Sequence, residues 1–247
     1  MKQQSSKAEQ HNALQREYYE TRTEQQNWRM LPGTTPYIAN HVERFIEFAR
    51  LESDDEILDV GCGMGKFTIP LASHGFRVQG LDLSPVLLGE LGSRTEPGMN
   101  IPTHCADVLA PPDALRGQFD KVAGFFMLHH LVELETAFSK MRALLKSKGR
   151  VVFLDVNPFC ALYYLQIFLS PSMSWRAEKG LLNLTPKKIR AGLHSAGFED
   201  ITIERYGILP PPLRNRFFGR AVDELFDNLR IFEPVSAFQL ISARRSD

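Results

Sequence analysis

Asp59-Val60-Gly61-Cys62-Gly63-Met64-Gly65 is the stretch on which the reading of this chain turns. Three alternate glycines follow a short hydrophobic run, 56–60, and precede a helix-favouring segment, 66–74. A strand that passes into a helix through glycines is a tight βα turn. Glycine accepts the backbone conformations such a turn needs and lets the main chain approach a ligand with no Cβ between them. Asp59 lies inside the strand end just ahead, where a carboxylate is costly to bury unless a cation or donor meets it. The glycines alone would suit an ordinary βα loop equally well, so the neighbouring sequence decides.

Downstream, 77–81 reads as a second strand ending at Asp82, where a carboxylate can accept from ribose hydroxyls. Ser84-Pro85 pairs an N-cap with a proline at the first helical position. Residues 101–106 form a weak third strand and 119–126 a fourth. A helix follows over 133–145, closed by Lys148-Gly149, then a fifth strand over 150–155. A helix at 186–196 and strands at 200–206 and 236–244 complete the series. Upstream, 13–28 favours helix, with Leu14, Tyr18 and Tyr19 near one face, and 31–36 breaks it. A helix over 37–49 then carries the stripe Val42, Phe45, Ile46 and Ala49. Strands alternating with helices imply an α/β fold around a mainly parallel sheet, because parallel strands need crossover helices.

Two stretches interrupt the rhythm. Residues 157–183 are rich in aromatic and aliphatic side chains, and 207–234 contain Pro210-Pro211-Pro212. Neither carries a second core. The expected division is therefore an N-terminal helical cap over 1–36 and one domain over 37–247, with both insertions over the strand ends.

With 247 residues and 43% hydrophobic content, the chain can bury one substantial core. Formal charge is zero, which gives no global field for nucleic acid or an anionic membrane. Cys62, Cys105 and Cys160 form no CxxC pair and read as reduced thiols. The opening residues lack the apolar core of a signal peptide. The most apolar run, 158–169, is about 12 residues, short of the roughly 20 a membrane span needs. A cytoplasmic protein without integral membrane association is the expectation; its oligomeric state, monomer or homodimer, is left open.

The ligand at the glycine turn can be narrowed. A dinucleotide fingerprint, G-x-G-x-x-G, would put its third glycine at 66, which is Lys66. Asp59 would also add negative charge beside a pyrophosphate. A nicotinamide-dependent oxidoreductase is thus disfavoured, and no G-K-[ST] closes the turn as a phosphate-binding loop. A ligand bearing an ammonium and a sulfonium suits these residues better.

The run 57–65 resembles motif I of the class I S-adenosylmethionine-dependent methyltransferases. Gly80-Leu81-Asp82-Leu83-Ser84, Cys105-Ala106-Asp107-Val108 and Phe119-Asp120-Lys121-Val122 are similar to the later elements of that family's core. The resemblance implies a Rossmann-like seven-stranded sheet of order 3-2-1-4-5-7-6, the seventh strand antiparallel, with helices on both faces. It also implies S-adenosylmethionine as cofactor and S-adenosylhomocysteine as product. Asp59, Gly61, Cys62, Gly63 and Gly65 would hold the methionine part, Asp82 the ribose, and Leu83, Ala106, Asp107 and Val108 the adenine. Phe125 and Tyr37 are expected to abut the same cofactor.

On the acceptor side, Phe125-Phe126-Met127-Leu128-His129-His130 ends the fourth strand, and ligands in open α/β sheets bind at such ends. The fifth strand ends at Asp155 next door. His130 or His129 with Asp155 would make a general base and its orienting carboxylate for a hydroxyl acceptor. The resemblance supplies a parallel, since some O-methyltransferases of the family use a similar arrangement. Two alternatives stay open: the histidines cap the following helix and Asp155 satisfies local backbone, or methyl transfer proceeds by positioning alone. His74, His104, Cys105, His129 and His130 share no metal-ligand spacing, and adjacent histidines on a strand end should point apart. No metal is expected.

No Asn-Pro-Pro-Tyr follows the fourth strand, which argues against amino-directed methylation of nucleic acid. Phe159, Tyr163, Tyr164, Ile167, Phe168, Met173 and Trp175 would wall a pocket for a hydrophobic acceptor, or form ordinary helix packing. Arg214 and Arg216 beside Phe217-Phe218 read as a solvated loop. The favoured function is methyl transfer from S-adenosylmethionine to a small, hydrophobic O- or C-acceptor such as an isoprenoid, lipid-like or aromatic natural product. A non-catalytic S-adenosylmethionine-binding protein of the same fold is the alternative.

Overall fold

A computed structural model describes residues 35–131, 133–169, 179–209 and 218–247, together with 13, 16, 17, 20, 215 and 216. Most of the expected helix over 13–28, the Pro210–Pro212 run, and Tyr18, Tyr19, Met173, Trp175, Arg214 and Phe217 lie outside the described residues, as does most of the expected cap.

Seven strands form one sheet in the order β3-β2-β1-β4-β5-β7-β6. They are β1 (Glu56–Val60), β2 (Arg77–Asp82), β3 (Thr103–Cys105), β4 (Phe119–Phe125), β5 (Leu145–Val156), β6 (Phe198–Tyr206) and β7 (Phe238–Arg245). The first five run parallel, while β7 is antiparallel to both β5 and β6. The start of β7 therefore lies beside the carboxyl ends of β4 and β5. Strand β1 sits mid-sheet, and its Ile57, Leu58 and Val60 are fully buried, as a strand covered on both faces requires.

The helices are α1 (Pro36–Ala49), α2 (Thr68–Ser73), α3 (Pro85–Arg94), α4 (Leu134–Leu144), α5 (Ala161–Leu169), α6 (Pro186–Ser195) and α7 (Gly219–Asn228). Helix α1 buries Ile38, Val42, Phe45 and Ala49, the predicted stripe extended by one turn. With Leu71 of α2 they build the core on one face of the sheet. Phe138 and Met141 of α4 and Ile189 and Leu193 of α6 fill the other. Ser84 caps α3 as its sequence requires, its side chain accepting from Leu87 N at 3.2 Å with Pro85 following.

Two local expectations are refined. Helix α4 ends at Leu144, ahead of Lys148-Gly149, because fully buried Leu145 leaves the helix to pair with Phe119. The left-handed residue there is Lys148, at φ 62°, inside β5. The aromatic stretch after β5 contains helix α5, and Phe159 ahead of it and Phe168 within it are 50% and 86% exposed. Tyr163 and Tyr164 instead pack against the α4–α6 core. Among the described residues no helix is long and apolar enough to cross a membrane.

Candidate active site

The glycine turn leaves β1 at Val60 and is folded by three left-handed glycines: Gly61, Gly63 and Gly65 have φ of 71°, 52° and 83°. A side chain at any of them would be strained. Gly65 also touches α2 and α3, where a Cβ would meet Ile69 at 2.9 Å and Leu91 at 3.0 Å. The turn is tied to β2 by Gly61 N donating to Leu81 O at 2.7 Å.

Asp59 is 2% exposed, and its Oδ2 accepts from Thr68 Oγ1 at 2.6 Å. Its Oδ1 is also buried and takes no hydrogen bond from a described residue. Burial, opposed by the Thr68 bond and reinforced by Asp82, pushes its carboxyl up to about 7. A buried acceptor atom of this kind fits an ammonium group, which would meet it with both charge and protons.

Asp82 is used twice by the main chain. Its Oδ2 accepts from Gly63 N and its Oδ1 from Ser84 N, each at 2.9 Å. Burial raises its carboxyl above the ordinary value, against those backbone bonds. The acid expected at the ribose thus also holds the glycine turn in shape, and a carboxylate oxygen retains capacity for a further donor. Glu20 reaches this corner, accepting from Ser84 Oγ at 2.7 Å. Asp107 shapes the loop after β3, its Oδ1 accepting from Leu109 N at 2.9 Å. Leu83 and Ala106 are half-buried beside it.

Several expected contacts are placed otherwise. The Cys62 side chain turns away from the turn into a small cluster with Leu88 and Leu91, so only its backbone faces a ligand. Burial and the nearby Asp82 and Asp59 hold its thiol well above the usual range, which leaves it protonated and inert. Val108 is 7% exposed and belongs to the α4–α6 core. Phe125 stacks on Phe67 at 4.6 Å and leans on Phe45 at 4.4 Å, so it is a core residue under α1. Tyr37 stands with an aromatic group around His41, edge-on to that imidazole at 4.3 Å, and its backbone N donates to Asn215 Oδ1 at 2.9 Å.

The chain leaves β4 through Phe126, a non-glycine residue at φ 53°. That reversal sends the Phe126 ring towards His41, Phe67 and Phe238, while Met127 and the 3-10 turn Leu128–His130 go to the other side. Strain held at a strand end by a packed ring is characteristic of functional sites. In the turn, His129 Nδ1 lies 2.6 Å from Asp155 Oδ1, both groups buried. Asp155 Oδ2 accepts from Leu128 N at 3.0 Å, and Oδ1 also accepts from Val156 N at 2.7 Å. Paired with a carboxylate oxygen that accepts, His129 carries its proton on Nδ1. The imidazole held by Asp155 is His129, not His130. The adjacent histidines do not point apart, because they sit on a tight turn instead of a strand: their ring centroids are 3.9 Å apart. Among the described residues no group of three His, Cys, Asp or Glu side chains is placed to hold a metal.

A second aromatic and polar group closes the α1 side. His41 Nδ1 and the Tyr206 hydroxyl share a buried 2.6 Å hydrogen bond, and Arg44 lies over the Tyr206 ring at 4.6 Å. Arg44 also pairs with Asp227 of α7. Sequence reading missed this pair, as it missed Thr68; neither belongs to a contiguous motif.

Residues 57–149 match the model of a family described as a methyltransferase domain. The chain carries a methyltransferase domain. Over 180 residues the chain is 28% identical to a ubiquinone biosynthesis O-methyltransferase of Coxiella burnetii, spanning 70% of the chain and 75% of the relative. Magnesium protoporphyrin IX methyltransferase from Synechocystis PCC 6803, solved with bound S-adenosylhomocysteine, superposes with a TM-score of 0.63 at 18% identity. That match covers 96% of this chain and 100% of the other. Phosphoethanolamine N-methyltransferase 2 from Haemonchus contortus, in complex with S-adenosyl-L-methionine, matches with a TM-score of 0.59 at 19% identity, covering 84% of this chain and 53% of that one. The fold is common to the two solved structures, whose named acceptors differ.

Proposed function

We propose that this methyltransferase methylates a hydroxyl group on a small, apolar acceptor, with His129 as general base. One observation carries the reading: the buried His129–Asp155 hydrogen bond, 2.6 Å, in the turn that abuts the glycine turn. The cofactor supplies an electrophilic methyl group on a sulfonium whose departure needs no acid. The protein's task is then to orient the acceptor, exclude water and accept one proton.

Asp59 would hold the ammonium of the methionine part, Gly61, Gly63 and Gly65 would line that part with no Cβ in the way, and Asp82 would hold the ribose. Near Leu83, Ala106 and Asp107 the adenine would lie against half-buried side chains. At the acceptor end, Asp155 holds His129 in the Nδ1–H tautomer and stabilises the imidazolium that forms when the acceptor hydroxyl gives up its proton. When bound, the donor would supply the methyl group to the acceptor oxygen and keep the C–S electron pair on sulfur, while His129 would take the hydroxyl proton. His130, its ring tilted against that of His129, serves as a wall. The aromatic group of Tyr37, Phe126 and Phe238 favours an apolar ring or chain. The O-methyltransferase named among the relatives supports oxygen as the accepting atom.

The test is transfer of labelled methyl from S-adenosylmethionine to a panel of hydrophobic phenols, isoprenoid alcohols, sterol-like lipids, amines and peptides. Labelling confined to hydroxyl-bearing apolar compounds, and lost in Asp155→Asn, is the expected result. Labelling confined to amines or peptides would overturn it.

A further inference from the structure

The His129–Asp155 pair is held by more than its own hydrogen bond. The 3-10 turn Lys179–Asn183 lies directly against the turn Leu128–His130. At Gly180 the approach is so close that an added Cβ would come within 1.9 Å of the His129 carbonyl oxygen. No rotamer change relieves that overlap, since the obstacle is backbone. Gly180 is therefore needed for two stretches of main chain to touch at the residue whose imidazole bonds Asp155.

A second tie lies on the sheet. Gln239 of β7 is the cross-strand partner of Asp155 on β5, so both side chains stand on the same face. Gln239 is fully buried. Its Nε2 donates to Leu184 O at 3.0 Å and to Val156 O at 3.3 Å. Leu184 follows the 3-10 turn that carries Gly180, and Leu181 and Leu184 are themselves fully buried. Val156 is the residue whose N–H meets Asp155 Oδ1. The Gln239 amide thus bolts the Gly180 segment to the end of β5, immediately beside the carboxylate. Its Oε1 takes no hydrogen bond from a described residue, an expensive arrangement if Gln239 served packing alone.

We infer that Gln239 and Gly180 are positioning residues of one clamp, which holds the His129 ring against Asp155 and towards the acceptor. This inference rests on the proposed role of that pair. Gln239 acts from the sheet and Gly180 from the turn, and neither touches the reacting atoms. Because both act through the same segment, their effects should be coupled and not additive.

The experiment compares Gln239→Met, Gly180→Ala, the double variant and Asp155→Asn, all in the full chain. Calorimetric affinity for S-adenosylmethionine serves as the check that each is folded and binds donor. Two readouts follow: kcat and KM in methyl transfer, and the low-field imidazole N–H proton resonance of His129. Loss of about a hundredfold in kcat is expected for each single variant, with donor affinity unchanged and the double variant no worse than the poorer single. The His129 proton signal should broaden or vanish in all of them. Where Gly180→Ala fails to bind donor, Gln239→Met and the proton signal decide. Wild-type kcat and an intact signal in Gln239→Met, with Asp155→Asn impaired, would overturn the clamp while leaving the base intact. Full activity in Asp155→Asn would overturn both.

Discussion

Gly61 faces Met127 so closely that a Cβ on the glycine would lie 3.0 Å from the methionine Cβ. The donor turn from β1 and the histidine turn from β4 therefore press on each other, with Met127 as the wedge. Gly124 leaves room for the same side chain on its far side, where a Cβ would meet Met127 Cγ at 3.0 Å.

Gly61→Ala should weaken S-adenosylmethionine binding by about tenfold or more, since left-handed backbone costs an L-residue about 1–2 kcal/mol and Met127 must also give way. Adding Met127→Ala should recover part of the loss by removing the wedge. Calorimetric titration of the single and double variants checks this, and no recovery would mean that backbone strain alone sets the affinity.

Asp59 links pH to both binding and folding, with opposite signs. Its carboxyl is raised from 3.8 to about 7 in the folded chain. Between those values the folded state holds a proton that the unfolded state has released, so this group's contribution to stability falls as pH rises through that window. Donor affinity runs the other way, because an ammonium needs the carboxylate: below pH 7 it should weaken by about tenfold per unit. Asp59→Asn should flatten the binding profile, lower the affinity at pH 8 by about ten- to a hundredfold, and raise the melting temperature of the cofactor-free protein there. Titrations and thermal melts at about pH 6 and about pH 8 test both halves.

His129→Gln and Asp155→Asn should each lower kcat by about 10²- to 10³-fold while donor affinity stays within about threefold. In Asp155→Asn an amide N–H₂ would face the donors that Asp155 now accepts. His130→Ala should act more on acceptor KM than on kcat. Equal, large kcat losses in His130→Ala and none in His129→Gln would reverse the assignment.

Tyr206→Phe removes the hydroxyl bonded to His41 and keeps the ring under Arg44. A buried hydrogen bond broken on one side costs about 1–3 kcal/mol. The urea midpoint should fall accordingly, with little change in donor affinity, since the pair lies on the α1 side.

Local chemistry made much of this legible beforehand. The glycine turn, Asp82 and the Ser84 cap each depend on residues close in sequence, and their structural counterparts fall where the residues predict. Contacts between distant residues were not legible. Thr68 meets Asp59 only because α2 folds back over β1, and Gln239 stands beside Asp155 only because β7 runs antiparallel. Phe125 and Cys62 misled for a related reason: each lies at a ligand-facing position of the chain while its side chain is drawn into a neighbouring cluster. The choice of His129 over His130 depended on a 3-10 turn that no periodicity signals.

The reversed direction of β7 has a practical side. Phe238, where the strand begins, belongs to the aromatic group around His41 at the proposed acceptor end. Arg245, where it finishes, pairs with Phe198 and donates to Leu145 O at the far edge of the sheet. An affinity tag, fluorophore or surface linker joined after Asp247 will emerge away from the proposed acceptor end. Immobilisation through that end should leave methyl transfer unobstructed.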